Sequence, residues 1–264
     1  MKDEIRRKIS KENQILELAI LSVIGDRSEQ QDNFGYEITG RECMVTVCDG
    51  MGGHRGGRLA SSLAVKHMMD TYRNCYAEKD IISFLHDTTV EADRIVSELK
   101  DGEGNKLNAG STLVSIIIKN NELYWSSVGD SRLYLVRGNE IVQVTLDHNY
   151  HEYLNEILYN NQISEEEYEK ENQKGEALIN YLGVGGLKVI DHNEGPLHLF
   201  QGDKLLVMSD GLYKLVEDKS IYNLVNNFGN INEAVESMDL KAEKIARKNK
   251  ISRDNMTVAL IKIK

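Results

Sequence analysis

The sequence predicts an α+β fold in which helices cover packed antiparallel sheets. Two observations carry that expectation. Short β-rich runs, "TLVSIII", "LYWSSV", "RLYLV" and "EIVQV", follow one another between residues 112 and 144, broken by the turn-forming "KNN", "GDS" and "RGN". That is the pattern of consecutive antiparallel strands. Helical periodicity is confined to separate blocks and does not alternate strictly with strands, which argues against a parallel α/β sheet.

Further strands are expected at 16–24, 34–39, 43–48, 203–209 and 256–263. Residues 58–76 place Ala60, Leu63, Ala64, His67, Met68, Thr71 and Cys75 at steps of three and four, one stripe of an amphipathic helix. Ile81, Leu85, Thr89, Ala92, Ile95, Val96 and Leu99 repeat it over 80–100, and Ile231, Ala234, Val235, Met238, Ala242, Ile245 and Ala246 over 231–247. Residues 147–181, with "SEEEYEKEN", are acidic and poor in core-forming side chains. They read as an excursion from the core carrying small helices, either a lid over a site or a solvated insertion.

Composition excludes several classes. At 264 residues, with 41% hydrophobic and 28% charged residues, the chain is long enough to bury a substantial core and is neither disordered nor membrane-embedded. A net charge of −10 has the wrong sign for gripping nucleic acid. The charged N-terminus "MKDEIRRKISKENQ" lacks the apolar segment of a secretory signal, and no stretch approaches the ~20 apolar residues of a membrane span. A cytoplasmic protein is expected. Cys43, Cys48 and Cys75 form no CxxC pair, which argues against structural zinc or a disulfide framework and predicts buried thiols.

The chemistry lies where apolar runs end. "MVTVCDG" ends at Asp49, "LYWSSVGD" at Asp130 and "LLVMSDG" at Asp210, while Asp254 in "SRDNMTVALI" opens the last strand. One Asp-Gly after a strand is ordinary turn chemistry. Four aspartates at strand ends, if the strands share a packed pair of sheets, could converge at one rim. Converging carboxylates repel unless a cation lies between them, and an all-oxygen donor set selects Mg²⁺ or Mn²⁺ over zinc. After Asp49, five of the next eight residues in "GMGGHRGG" are glycine, so backbone must come close there or adopt unusual dihedrals. No GxxxxGK[ST] or GxGxxG spacing makes that loop a nucleotide cradle.

"GDRSEQQDNF" (25–34), "DGMGGH" (49–54), "GSTL" (110–113), "VGDSR" (128–132), "TLDH" (145–148), "SDGL" (209–212) and "DNMT" (254–257) stand in an order that resembles the metal-dependent protein phosphatases of the PPM type. These are the type 2C serine/threonine phosphatases, here in their short bacterial form. The resemblance runs from about residue 20 to 263. It implies a four-layer αββα sandwich and a single catalytic domain over 1–264, with 1–15 as a charged extension and 147–181 as a flap-like insertion.

The same resemblance implies two Mn²⁺ or Mg²⁺ ions. Asp49 matches the bridging ligand, Gly50 contributes its carbonyl, and Asp210 and Asp254 match the remaining carboxylates. Asp32 matches the residue that supports the centre directly or through water. Asp130 matches the ligand that, with Asp210, holds a weaker third ion in bacterial members. Arg27 matches the phosphate-binding arginine, whose fork suits two phosphoryl oxygens. The implied reaction is direct attack of a water or hydroxide bridging the ions, on phosphoserine or phosphothreonine in proteins, with a cognate serine/threonine kinase as counterpart.

Several positions depart from the family's pattern. Gln30 stands where Asn is common, Gln31 where eukaryotic members carry Glu, and Met51 where they carry the histidine proposed as general acid. Arg58 replaces a frequent acidic residue. His54, in the glycine loop, is the remaining candidate to approach the leaving group. The alternative function is a pseudophosphatase that binds phosphoproteins without turnover. Loss of an aspartate ligand would mark it, and every such position is occupied. A calcium-binding structural domain lacks its D-x-[DN]-x-[DN]-G loop, and a serine hydrolase lacks its GxSxG elbow.

Overall fold

Strand residues that alternate between two apolar environments, and not between core and water, determine how this chain is layered. The computed structural model describes residues 6–53, 56–76 and 80–264. In chain order its first half comprises β1 (Arg6–Glu12), β2 (Leu16–Val23), β3 (Asp32–Thr39), β4 (Glu42–Gly52), α1 (Gly56–Cys75), α2 (Ile81–Ser97), β5 (Ala109–Ser111), β6 (Leu113–Lys119), β7 (Glu122–Val128), β8 (Arg132–Arg137) and β9 (Glu140–Gln143). There follow α3 (Tyr150–Tyr159), α4 (Glu165–Glu171), β10 (Asp191–His192), β11 (Leu197–His198), β12 (Lys204–Met208), α5 (Asp210–Tyr213), α6 (Asp218–Asn227), α7 (Ile231–Asn249) and β13 (Met256–Ile263).

One sheet runs β1-β2-β13-β12-β8-β9 and the other β10-β7-β6-β4-β3, all neighbours antiparallel. In β2, Leu16, Leu18 and Ile20 face the space between the sheets, while Ala19, Leu21 and Val23 join the cluster formed with α6 and α7. β13 divides in the same way, with Ala259, Ile261 and Ile263 inside and Met256, Val258 and Leu260 toward the helices. On the second sheet Val45, Val47, Val114 and Ile116 face the first, and Met44, Cys48, Leu113 and Ile117 face α1 and α2. Period-two alternation with both faces buried yields four layers. This is the αββα sandwich that the resemblance implied. Each such Val, Leu or Ile contributes about 1.5–3 kcal/mol by leaving water.

The charged N-terminal segment differs from expectation. Residues 6–12 form β1, an edge strand in register with β2 from Arg6 opposite Val23 to Glu12 opposite Glu17. Only Ile9 is partly buried, so side-chain periodicity carries no trace of the strand, which is held by its backbone ladder. Its charges reach α7: Arg6 pairs with Asp239 and Lys8 with Glu236, and Asp239 also accepts from Arg253.

The buried stripe of α1 is Ala60, Ser61, Ala64, Val65, Met68, Met69 and Tyr72, turned by about one residue from the periodic reading. The rotation comes from packing against both β4 and α2, where Tyr72 and Tyr76 stack and meet Phe84 edge-on. Cys75 falls outside the stripe and is exposed, contrary to expectation, whereas Cys43 and Cys48 are buried. Residues 150–171 do form two small helices. Asn149 caps the first, and Ser164 with Glu167 makes a capping box on the second, which explains helix formation with only Leu154 buried.

Ile116, fully buried between the sheets, tests this packing. Ile116→Ala should lower stability by about 2–5 kcal/mol in a urea titration, through lost burial and the cavity left behind. A change under 1 kcal/mol on the same titration would show that the inter-sheet layer is not the main core.

Candidate metal centre

Asp32 opens β3 and stands opposite Asp49 in the β3-β4 ladder, so two carboxylates reach one end of the second sheet. Asp210 begins α5 just after β12, and Asp254 precedes β13, at the matching end of the first sheet. Asp130 lies between β7 and β8, where the chain passes from one sheet to the other.

Hydrogen bonds stitch the two sheet ends together. Ser209 Oγ donates to Asp32 Oδ2 at 2.7 Å and accepts from the Thr257 N–H at 2.9 Å. Asn255 Oδ1 accepts from the Gln31 N–H at 2.8 Å, while its amide donates to the carbonyls of Ile24 and Glu29. Asp49 is clamped through its backbone. Its N–H donates to Thr112 Oγ1 at 2.9 Å and its carbonyl accepts from the Thr112 N–H at 2.8 Å, with Ser131 Oγ 2.7 Å from the same hydroxyl. The "GSTL" and "VGDSR" stretches thus have a mechanical role beside any chemical one.

Two glycines are required by close backbone approach. A Cβ on Gly50 would lie 2.0 Å from the Gly57 carbonyl oxygen, where the start of α1 crosses β4. On Gly211 it would lie 2.0 Å from the Asn255 carbonyl oxygen. Both are contacts no side chain survives.

Crowding shifts the acids. Burial pushes Asp32 up to about 7, against the hydrogen bonds of Ser209 and Thr257 and with help from Asp210 and Asp254. Asp49 is held well above the usual carboxylate range by burial first, then by the negative charges of Asp32, Asp210, Asp130 and Asp254. Burial and Asp210 raise Asp130 to about 6, with Lys214 opposing. The neighbouring Cys48 thiol is driven far up by burial, and its side chain packs in the apolar cluster with α1 and α2.

The cations at this rim belong to the chain. Arg27 Nη2 lies 2.6 Å from Asp254 Oδ2, and Lys214 Nζ lies 2.8 Å from Asp210 Oδ2 and 3.8 Å from Asp130 Oδ2. Burial works against the Lys214 charge, but Asp210, Glu176 and Asp130 outweigh it and raise its pKa. Among the described residues no three His, Cys, Asp or Glu side chains stand in a closed metal-holding arrangement. The five aspartates share one electrostatic neighbourhood, with Asp254 and Asp210 each turned to a basic side chain.

The donor set nevertheless fits a hard divalent ion. Asp32 Oδ1 and Asp210 Oδ1 are buried without a hydrogen-bond partner, an arrangement whose cost a cation removes. Carboxylate and carbonyl oxygens are the donors that Mg²⁺ and Mn²⁺ take. His54 lies outside the described residues.

Sequence reasoning missed the supporting cast. Arg132 clasps Asp147 with Nε to Oδ1 at 3.0 Å and Nη2 to Oδ2 at 2.7 Å, and stacks 3.6 Å above the Tyr213 ring. Tyr213 in turn donates to the Asp130 carbonyl at 2.9 Å. His148 N–H donates to the Gly129 carbonyl and its Nδ1 accepts from the Gly129 N–H. "TLDH" therefore docks on "VGDSR" and holds Asp130 in place. Gln30 is structural: its amide donates to Ser22 Oγ and its carbonyl oxygen accepts from the Asp32 N–H. On α2, buried Asp93 accepts from the N–H groups of Gly183, Gly185 and Gly186, anchoring the loop after the helical excursion. Only the buried position of that acid on its helix face could have signalled it.

Residues 22–246 match the model of the family described as protein phosphatase 2C. Protein phosphatase PhpP of Streptococcus pneumoniae is 32% identical over 253 residues, covering 93% of this chain and 97% of the relative. The serine/threonine phosphatase of S. agalactiae superposes with a TM-score of 0.76 at 25% identity, covering 94% of this chain and 100% of that one. The catalytic domain of the serine/threonine protein phosphatase PstP, solved in complex with two manganese ions, superposes with a TM-score of 0.72 at 23% identity, covering 94% and 98%. With a family model spanning most of its length and a relative of this identity matched nearly end to end, the chain belongs to the protein phosphatase 2C family.

Proposed function

We propose that this chain is a metal-dependent protein phosphatase acting on phosphoserine and phosphothreonine in proteins. The observation that carries the reading is the meeting of Asp32, Asp49, Asp130, Asp210 and Asp254, drawn from both sheets, with Arg27 among them. The family match, the relatives named as phosphatases and the manganese in a similar structure support it. Asp49 with the Gly50 carbonyl, Asp210 and Asp254 hold Mn²⁺ or Mg²⁺ in this reading, and Asp32 supports them directly or through water.

Bound divalent ions supply a water of lowered pKa and neutralise charge on the phosphoryl group. The chain itself supplies position. Thr112 and Ser131 fix the backbone of Asp49, and Ser209 fixes one oxygen of Asp32 while the other stays free. Arg27, paired with Asp254 and 57% exposed in its side chain, is placed to turn its fork onto two phosphoryl oxygens. Arg27 and Asp254 both open to solvent, so this rim suits a phosphate displayed on another protein better than a metabolite enclosed in a cavity. A serine/threonine kinase is the implied counterpart and the cytoplasm the implied compartment. Among the described residues no helix is long and apolar enough to cross a membrane.

Hydrolysis of a phosphothreonine peptide should require Mn²⁺ or Mg²⁺ and stop with chelator; turnover that survives exhaustive chelation would overturn the mechanism. Asp210→Asn should reduce kcat/KM by more than the roughly 10- to 100-fold typical of a lost supporting partner, and near-normal steady-state kinetics would remove Asp210 from the ligand set. Arg27→Ala should raise KM roughly 10- to 100-fold, the value of a charged hydrogen bond, with a smaller effect on kcat. An unaltered KM for the phosphopeptide would exclude Arg27 from substrate binding.

A further inference from the structure

Lys214 follows α5 and stands four residues after Asp210, the helical spacing that brings a long cationic side chain back over an acid one turn earlier. Its ammonium lies 2.8 Å from Asp210 Oδ2, 3.8 Å from Asp130 Oδ2 and 2.8 Å from Glu176 Oε2. Asp130 and Asp210 have side chains only 7% and 16% exposed, so their charges are weakly screened by water. Glu176 is 77% exposed and adds little to the energy of the cluster, though it attaches the segment after α4 to the rim.

We infer that the Lys214 ammonium is the resident cation between Asp130 and Asp210, so that no divalent ion binds between those two carboxylates. The inference rests on the metal-dependent reading above and sharpens it, because the chain would then hold two divalent ions and not a third. A second cation drawn to the same oxygens would stand within a few ångströms of a fixed positive charge, and it would have to displace the ammonium from Asp210 Oδ2 to be held. The two oxygens of Asp210 thereby divide their work. Oδ2 belongs to Lys214, and Oδ1, buried without a hydrogen-bond partner, is left for the main centre. Asp130 Oδ2 faces the same ammonium at 3.8 Å, and Tyr213, the residue before Lys214, holds the Asp130 backbone carbonyl. One short segment therefore places both the acid and its counter-charge.

Equilibrium dialysis of the chelator-stripped full chain against Mn²⁺, with elemental analysis of bound metal, tests this without reference to turnover. The wild type should take two ions per chain up to millimolar free Mn²⁺. Lys214→Ala and Lys214→Gln should each gain one weaker ion, Lys214→Arg should stay at two, and adding Asp130→Asn to Lys214→Ala should remove the extra ion. A third ion on the wild type, or neutral variants that remain at two, would overturn the inference and leave the metal-dependent reading intact. Fewer than two ions on the wild type would overturn that reading, and this inference with it. The wild-type count decides between these outcomes even if a variant fails to fold.

Discussion

Repulsion among acids gathered where two sheets end is the constraint on which this molecule is built. Asp32, Asp49 and Asp130 are all raised above the usual carboxylate range, first by burial and then by neighbouring carboxylates, with Asp210 acting on all three. A fold that relaxed this crowding would spread the acids apart. Here the ladders, glycines and cross-sheet hydrogen bonds prevent it, so the strain must be met with positive charge.

That demand explains why polar contacts at the rim cross from one sheet to the other. Ser209 belongs to the first sheet's end and holds Asp32 on the second; Asn255 precedes β13 and holds the backbone of Gln31 beside β3. Each pairs a buried group with a partner it needs, since leaving either unsatisfied costs more than the bond contributes. The inter-sheet apolar layer then keeps those partners in range, joining the stability of the core to the geometry of the rim.

Much of this was legible in the residues. β2, β4, β6 and β13 announce themselves as apolar runs because both of their faces are buried, and the aspartates mark where those runs stop. β1 was not legible: "RRKISKE" shows one half-buried side chain, and a backbone ladder leaves no mark on composition. The stripe of α1 was misplaced by about one residue because two partners, a sheet and a helix, divide its surface between them, which also left Cys75 outside. α6 was hidden among asparagines and buries only Ile221 and Val225. In the site, motif order singled out the acids and Arg27 as candidates. The part played by Lys214 appears only once α5 is known to be helical, since four residues apart means adjacency in a helix and distance in a loop.

The charged edge strand β1 has a protective consequence. β2 carries an almost wholly buried sequence, and β1 lies along its outer edge with Arg6, Arg7, Lys8 and Lys11 spread over the exposed border. A chain trimmed beyond Glu12 would leave the outer backbone edge of β2 unpaired and open to intermolecular pairing. The lysines and arginines along β1 are side chains of the kind that disfavour edge-to-edge pairing of sheets.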